Sequence, residues 1–270
     1  MVMAKALNKL FYYWRVLATG LSFVVFAIGG LLIGVIIYPL MLLVPSRHKN
    51  RVGQYFIHLS FLGFAKMMWI MGIYSITIKN KDIIKNSGLY MVANHPTLID
   101  VVLLLSIIKQ SDCVVKSALA SSVFTKGPLL VAGYIINDSP QQLIDECVQR
   151  LKTGRNLLIF PEGTRTRDLN QLQFKRGASL IAFDAYQDIT PITIKCQPRI
   201  LAKHQKWYKI PRQKPHFIID VRKQLDISEI TGQDEPRSMG SRKINQYLLD
   251  YYKQELALEN TDSRTKTADH

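Results

Sequence analysis

No aspartate or glutamate occurs in this 270-residue chain before Asp82, and no charged side chain of either sign lies between Val16 and Ser46. The first absence biases the formal net charge of +15 toward the amino-terminal segment, which carries Lys5, Lys9, Arg15, Arg47, Lys49, Arg51, Lys66 and Lys79. Such a chain calls for an anionic partner, either nucleic acid or an anionic membrane surface. The second absence decides between them, because ATGLSFVVFAIGGLLIGVIIYPLMLLV is apolar for longer than the roughly 20 residues a bilayer span needs. It also makes a cleaved signal peptide a poor reading, since such a peptide has an apolar region of about 7–15 residues followed by a small-residue cleavage site.

Cysteine is sparse as well. Cys113, Cys147 and Cys196 are widely spaced with no C-x-x-C pair, which excludes a disulfide framework and a cysteine metal site. They read as buried thiols facing a reducing cytoplasm. There is no G-x-S-x-G elbow, so a serine acyl-enzyme is not supported. No internal repeat and no nucleic-acid-binding motif occurs.

What is present divides the chain into three. Residues 1–75 read as a membrane-anchoring helical hairpin, with Gly29, Gly30, Gly34 and Pro39 able to bend the first helix. The second helix, 55–74, carries His58 and Lys66; a lysine at mid-bilayer is costly, which places this helix at the interface or against protein. Residues 76–230 alternate short β-branched runs with helical spacings. Strands are expected at 76–78, 89–94, 113–116, 133–137, 156–160, 189–196 and 217–221, and helices from Pro96, over 141–154 and over 177–186. That alternation gives an α/β domain with a mixed, largely parallel sheet flanked by helices, behind an N-terminal hydrophobic helical membrane anchor. Residues 231–270 read as a C-terminal helix and a polar tail, ENTDSRTKTADH, expected to lack fixed structure. The segment 199–223 interleaves Trp207 and Tyr208 with Lys203, Lys206, Lys209, Arg212 and Lys214, which suits either a membrane interface or a solvated loop.

Two stretches carry chemistry. In VANHPTLIDVVLLL, Asn94, His95 and Asp100 interrupt an apolar pattern. Pro96 fits the first position of a helix, which leaves His95 at the strand-to-helix junction, where α/β sheets bind ligands. From there its ring can fold back on the Asp100 carboxylate, giving a base of fixed tautomer. The second stretch, FPEGTRT (160–166), follows the expected strand NLLIF. Its Gly163 permits close approach of backbone to a ligand, and Arg165 offers a planar fork for phosphate or carboxylate oxygens.

Together, the N-H-x4-D block at 94–100 and F-P-E-G-T-R at 160–165 resemble the glycerolipid acyltransferase family, of the 1-acylglycerol-3-phosphate acyltransferase type. The resemblance covers roughly residues 75 to 225. Lys116 matches a lysine found after the first block, 174–177 resembles the segment beyond the second, and 190–194 the last motif. It implies that His95 removes the proton of an acceptor hydroxyl with Asp100 orienting the ring. Asn94, Lys116, Glu162, Gly163, Thr164 and Arg165 would bind substrate, and the oxyanion would be met by backbone N–H groups near the helix start or by Lys116. No metal or cofactor is required. The implied donor is acyl-CoA or acyl carrier protein, the implied partners are membrane lipids rather than nucleic acid, and the implied place is the cytoplasmic face of an inner membrane. One position departs: Ser139 stands where the family carries an arginine that helps bind the acceptor phosphate. An acceptor without that phosphate, a hydrolase using the same pair, and a non-catalytic lipid-binding protein are the rival readings.

Overall fold

The computed structural model describes residues 2–166 and 172–265. Its strands form one seven-stranded mixed sheet in the order β1-β7-β6-β2-β5-β3-β4. They are β1 (Ser75–Lys79), β2 (Tyr90–Ala93), β3 (Asp112–Lys116), β4 (Ile135–Asn137), β5 (Leu157–Ile159), β6 (Ile189–Gln197) and β7 (His216–Val221). The helices are α1 (Val2–Leu32), α2 (Tyr38–Met41), α3 (Ser46–Ile70), α4 (Asp100–Ile107), α5 (Ser117–Ala120), α6 (Val123–Ala132), α7 (Pro140–Lys152), α8 (Gly177–Ala185) and α9 (Arg237–Thr265). The chain divides into two compact units, one of residues 1–77, 97–138 and 196–217, the other of 78–96, 139–195 and 218–270.

In the first unit, α1 does not break at its glycines. It passes through a π-helical turn, Ile33–Ile37, where Tyr38 donates its N–H to the Ile33 carbonyl. Pro39 follows at once and cannot supply the N–H that an α-helical register needs there. The chain turns at Pro45 and returns as α3, with Phe26 against Phe61 and Phe64 and the Trp14 indole N–H on the Met71 carbonyl at 2.9 Å. As expected for a helix with polar residues on its apolar face, α3 packs on protein. Buried His58 meets the Leu105 carbonyl of α4 at 2.9 Å, and Gln54 donates to Asp112 at 2.8 Å.

The helix α6 is not among the elements expected from the sequence, and it carries a Gly127-Pro128 pair inside it. The structure shows why the pair is there. Pro128 has no N–H for the Phe124 carbonyl one turn earlier, and that carbonyl turns toward α1 at Gly30, where an added Cβ would lie 1.8 Å from its oxygen. Gly34 and Gly127 meet backbone to backbone one turn further on, and Gly53 of α3 leaves the same kind of room for the Val131 carbonyl. Glycine thus lets α6 sit against both arms of the helical pair.

In the second unit, β2 pairs in parallel with β5 (Tyr90 beside Leu157) and with β6 (Tyr90 beside Ile189, Ala93 beside Ile192). β2 is buried along its whole length, as a strand with neighbours on both sides and helices on its faces requires. Ile244, Leu248, Tyr252 and Leu256 recur every four residues on α9 and are all buried, each contributing about 1.5–3 kcal/mol from burial. The α9 helix runs on to Thr265, into the polar stretch expected to be unstructured; the last five positions of that stretch lie outside the described residues.

Candidate active site

Backbone pairing of β2 with β6 ends at Ala93, and the next residue continues it with a side chain. Asn94 donates its amide to the Ile194 carbonyl at 2.9 Å and accepts the Ile194 N–H at 2.7 Å. Its side chain is fully buried and occupied by the sheet. Beneath it, the phenol of Tyr252 donates to the Val92 carbonyl and accepts the Ile192 N–H at 3.1 Å. Burial pushes the Tyr252 hydroxyl well above its ordinary range, so it stays protonated and keeps donating. The strand ends that carry His95 are therefore fixed by two side chains.

The loop 160–166 holds His95 by its main chain. Glu162 Oε1 accepts the His95 N–H at 2.9 Å and the Thr166 hydroxyl at 2.7 Å, while the Thr166 N–H donates to the His95 carbonyl at 2.7 Å. Both backbone groups of His95 are thus taken, and Glu162 and Thr166 are themselves buried. The imidazole lies 4.6 Å from the Phe160 ring, tilted by 36°. Thr166 and Phe160 belong to the same stretch as Glu162, but no reading of residue types alone separates the residue that locks a backbone from its neighbours.

Gly163 takes φ of +61°, a left-handed conformation that suits glycine. The aliphatic end of Lys175 and its ammonium lie over it, within 3.1–3.2 Å of where a Cβ would stand. Lys175 is anchored by its own N–H on the Pro161 carbonyl at 2.8 Å. It is exposed, while Thr164 and Arg165 are half-buried. Lys175 lies in the segment 174–177 that resembles a family motif, but its place beside the Gly163 turn follows only from the fold. Ser139, at the arginine position of the resembled family, precedes the proline-led first turn of α7, and its carbonyl takes the Leu143 N–H at 2.9 Å.

Asp100 and Lys116 belong to the first unit. Asp100 is fully buried and accepts the Thr97 N–H at 2.6 Å as well as the Thr97 hydroxyl. This corrects the expected helix start. α4 begins at Asp100, not at Pro96, because the Thr97 donors fold residues 96–99 into a polar turn ahead of the helix. The turn has a chemical consequence. The N–H groups of His95, Thr97 and Leu98 are held by Glu162, Asp100 and the Leu201 carbonyl, and Pro96 has none. Residues 95–98 leave no N–H for an oxyanion. Lys116 is exposed at the end of β3, in register with Asn137 of β4. Among the described residues no cluster of three or more His, Cys, Asp or Glu side chains is placed to hold a metal ion.

Residues 75–195 match the family described as Acyltransferase. Among curated proteins, the chain is 29% identical over 195 residues to a putative 1-acyl-sn-glycerol-3-phosphate acyltransferase, acl-1, of Caenorhabditis elegans, covering 68% of this chain and 71% of that one. It is 29% identical over 177 residues to the 1-acyl-sn-glycerol-3-phosphate acyltransferase of Helicobacter pylori strain J99, covering 60% and 69%. It spans 42% of the chloroplastic relative LPAT1 of Arabidopsis thaliana, at 26% identity over 149 residues and 51% of this chain. Its fold is similar to that of the 1-acyl-sn-glycerophosphate acyltransferase PlsC from Thermotoga maritima, with a TM-score of 0.61 and 18% identity over 92% of this chain and 97% of that one.

Proposed function

We propose that this chain, whose residues 75–195 match the Acyltransferase family, moves a fatty acyl group from a thioester donor, coenzyme A or acyl carrier protein, to the free hydroxyl of a 1-acylglycerol-3-phosphate. The observation that carries the reading is the double hold of Glu162 and Thr166 on the backbone of His95. A residue fixed at both its N–H and its carbonyl is placed for a task that its side chain performs.

In the proposed reaction the His95 imidazole takes the proton of the acceptor hydroxyl as the oxygen attacks the thioester carbonyl. Asp100 orients the ring and stabilises the imidazolium. The tetrahedral intermediate collapses with cleavage of the C–S bond, and the imidazolium returns its proton to the departing thiolate. Residues 95–98 have no N–H to offer, and Lys116 is the group proposed to meet the oxyanion. Arg165, Thr164 and the Gly163 turn hold the acceptor phosphate. Lys175 over that turn supplies a cation that Ser139 does not. Asn94 acts by positioning His95.

The helical pair is read as the membrane-attached part of the chain. Residues 7–41 are long and apolar enough to cross one. One side of α1 is nevertheless occupied, by Trp207 at Gly20 and Phe23 and by α6 at Gly30 and Gly34. The opposite side leaves Leu10, Leu17, Leu21, Val24, Ile28 and Val35 exposed at helical spacing. We read the helix as lying in the interface with its exposed apolar surface in lipid, on the cytoplasmic leaflet where thioester donors are made. The test is mass-spectrometric detection of acyl transfer by the purified chain in nanodiscs, with each donor and with phosphorylated and unphosphorylated acceptors. Product from lysophosphatidic acid that disappears in His95→Ala is expected. Transfer only to unphosphorylated acceptors would move the substrate, and no transfer at all would sink the enzyme reading.

A further inference from the structure

Away from the residues of the proposed reaction, the first unit has an open cavity of about 1220 Å³ between the start of α1, the end of α3 and the loop at 212–214. Four cations line it: Lys9, Arg15, Arg212 and Lys214. Among the described residues that line it, none is Asp or Glu. Aromatic side chains, Tyr12 and Trp14 among them, complete the wall.

Arg15 makes this more than a basic surface. The residue is only 6% exposed. Its Nη2 donates to the carbonyls of Pro211 and Arg212, which tie the loop to α1, but its Nη1 has no hydrogen-bond partner among the described residues. A buried guanidinium normally finds a carboxylate or another full set of acceptors. Here carbonyl dipoles meet one nitrogen, and no carboxylate stands among the described residues that line the cavity. Through the low-dielectric wall the guanidinium charge acts on whatever occupies the space, and Lys9, Arg212 and Lys214 are placed around it for direct contact.

We propose that this cavity binds the phosphate head group of an anionic membrane lipid, as a site separate from acyl transfer. The proposal rests on the interfacial placement of α1 given above. The cavity lies where the apolar run of α1 begins, just before Val16, and its aromatic residues are those favoured at head-group depth. A lipid held there would present its phosphate to the four cations and its chains to the exposed apolar side of the helical pair.

The experiment is native mass spectrometry of the full chain in mild detergent, titrated with phosphatidylglycerol or with phosphatidylcholine. A saturable bound phosphatidylglycerol is expected, with weaker phosphatidylcholine binding. The triple variant Lys9→Gln, Arg212→Gln, Lys214→Gln should lose about tenfold or more in affinity. A control of equal charge change on exposed lysines elsewhere, Lys109→Gln, Lys152→Gln, Lys253→Gln, should bind as the parent does. Equal binding of the two lipids, or an equal loss in the control, would reduce the site to diffuse surface charge and overturn the proposal. Stoichiometric binding of inorganic phosphate that displaces the lipid would reassign the site to a soluble anion. Acyl transfer measured in micelles alongside keeps the two readings apart. Absent transfer with intact lipid selectivity strikes the proposed function alone, and lost selectivity with normal transfer strikes this site alone.

Discussion

Glu162 Oε1 accepts the backbone N–H of His95 at 2.9 Å, joining residues 67 positions apart in the chain. The same oxygen takes the Thr166 hydroxyl, so a single carboxylate sets the distance between the two sequence blocks. Removing it leaves the His95 N–H unpaired, at about 1–3 kcal/mol. Glu162→Ala should therefore lower stability by about that amount and activity by at least about tenfold. Glu162→Gln, which keeps an acceptor oxygen, should retain most of the stability. Thermal unfolding and initial rates on the two variants check this. Equal behaviour of Ala and Gln would show that the hydrogen bond is not what matters.

His95→Ala should reduce kcat by about 10²–10⁴ while leaving the unfolding temperature close to that of the parent, since the imidazole is held by backbone bonds that alanine also makes. A variant that unfolds early instead would mean that the ring is a structural element.

Lys175→Gln and Arg165→Gln should each raise KM for a phosphorylated acceptor by about tenfold, with kcat changed less, and should leave KM for an unphosphorylated acceptor unchanged. Equal effects on both acceptors would remove phosphate recognition from these residues.

The two neighbouring glycines of α1 should behave oppositely. A Cβ at Gly30 meets the Phe124 oxygen at 1.8 Å, whereas at Gly29 it meets nothing within 4 Å. Gly30→Ala should cost about 1–3 kcal/mol through forced separation of α1 and α6. Gly29→Ala should gain about 0.5–1 kcal/mol from helix propensity. Unfolding in detergent distinguishes them, and a stabilised Gly30→Ala would refute the close packing.

Burial pushes the Cys196 thiol up to about 12 from its ordinary 9.0. The folded chain should keep this thiol protonated and unreactive toward iodoacetamide at pH 8, read by peptide mass spectrometry. In stability terms, a raised folded pKa means that the contribution is present below about pH 9 and lost as pH rises from there toward 12. Ready alkylation at pH 8 in the folded protein would contradict the burial.

The order of strands and helices was legible where a short β-branched run alternates with an amphipathic one. Thus β2, β5, β6 and α7 stand within a residue or two of their expected places. What was not legible depends on partners distant in sequence. Gly127-Pro128 reads as a breaker until Gly30 supplies a place for the freed carbonyl. Pro96 reads as a helix start until Thr97 is seen holding Asp100. Asn94 reads as a residue facing the substrate, yet its amide closes the ladder with Ile194. In each case a local preference yields to a hydrogen bond or a contact that the residue's own neighbourhood does not contain. Lys175 likewise becomes a neighbour of Gly163 only through the path of the chain.

The phenol that joins Val92 to Ile192 comes from residue 252. During synthesis, the strand that leads into His95 has its sequence complete long before its last hydrogen-bonding partner leaves the ribosome. A nascent chain stalled short of α9 would hold every residue of the proposed chemistry and still lack the bracket that aligns two of its strands. The alignment of β2 with β6 is therefore completed late in translation.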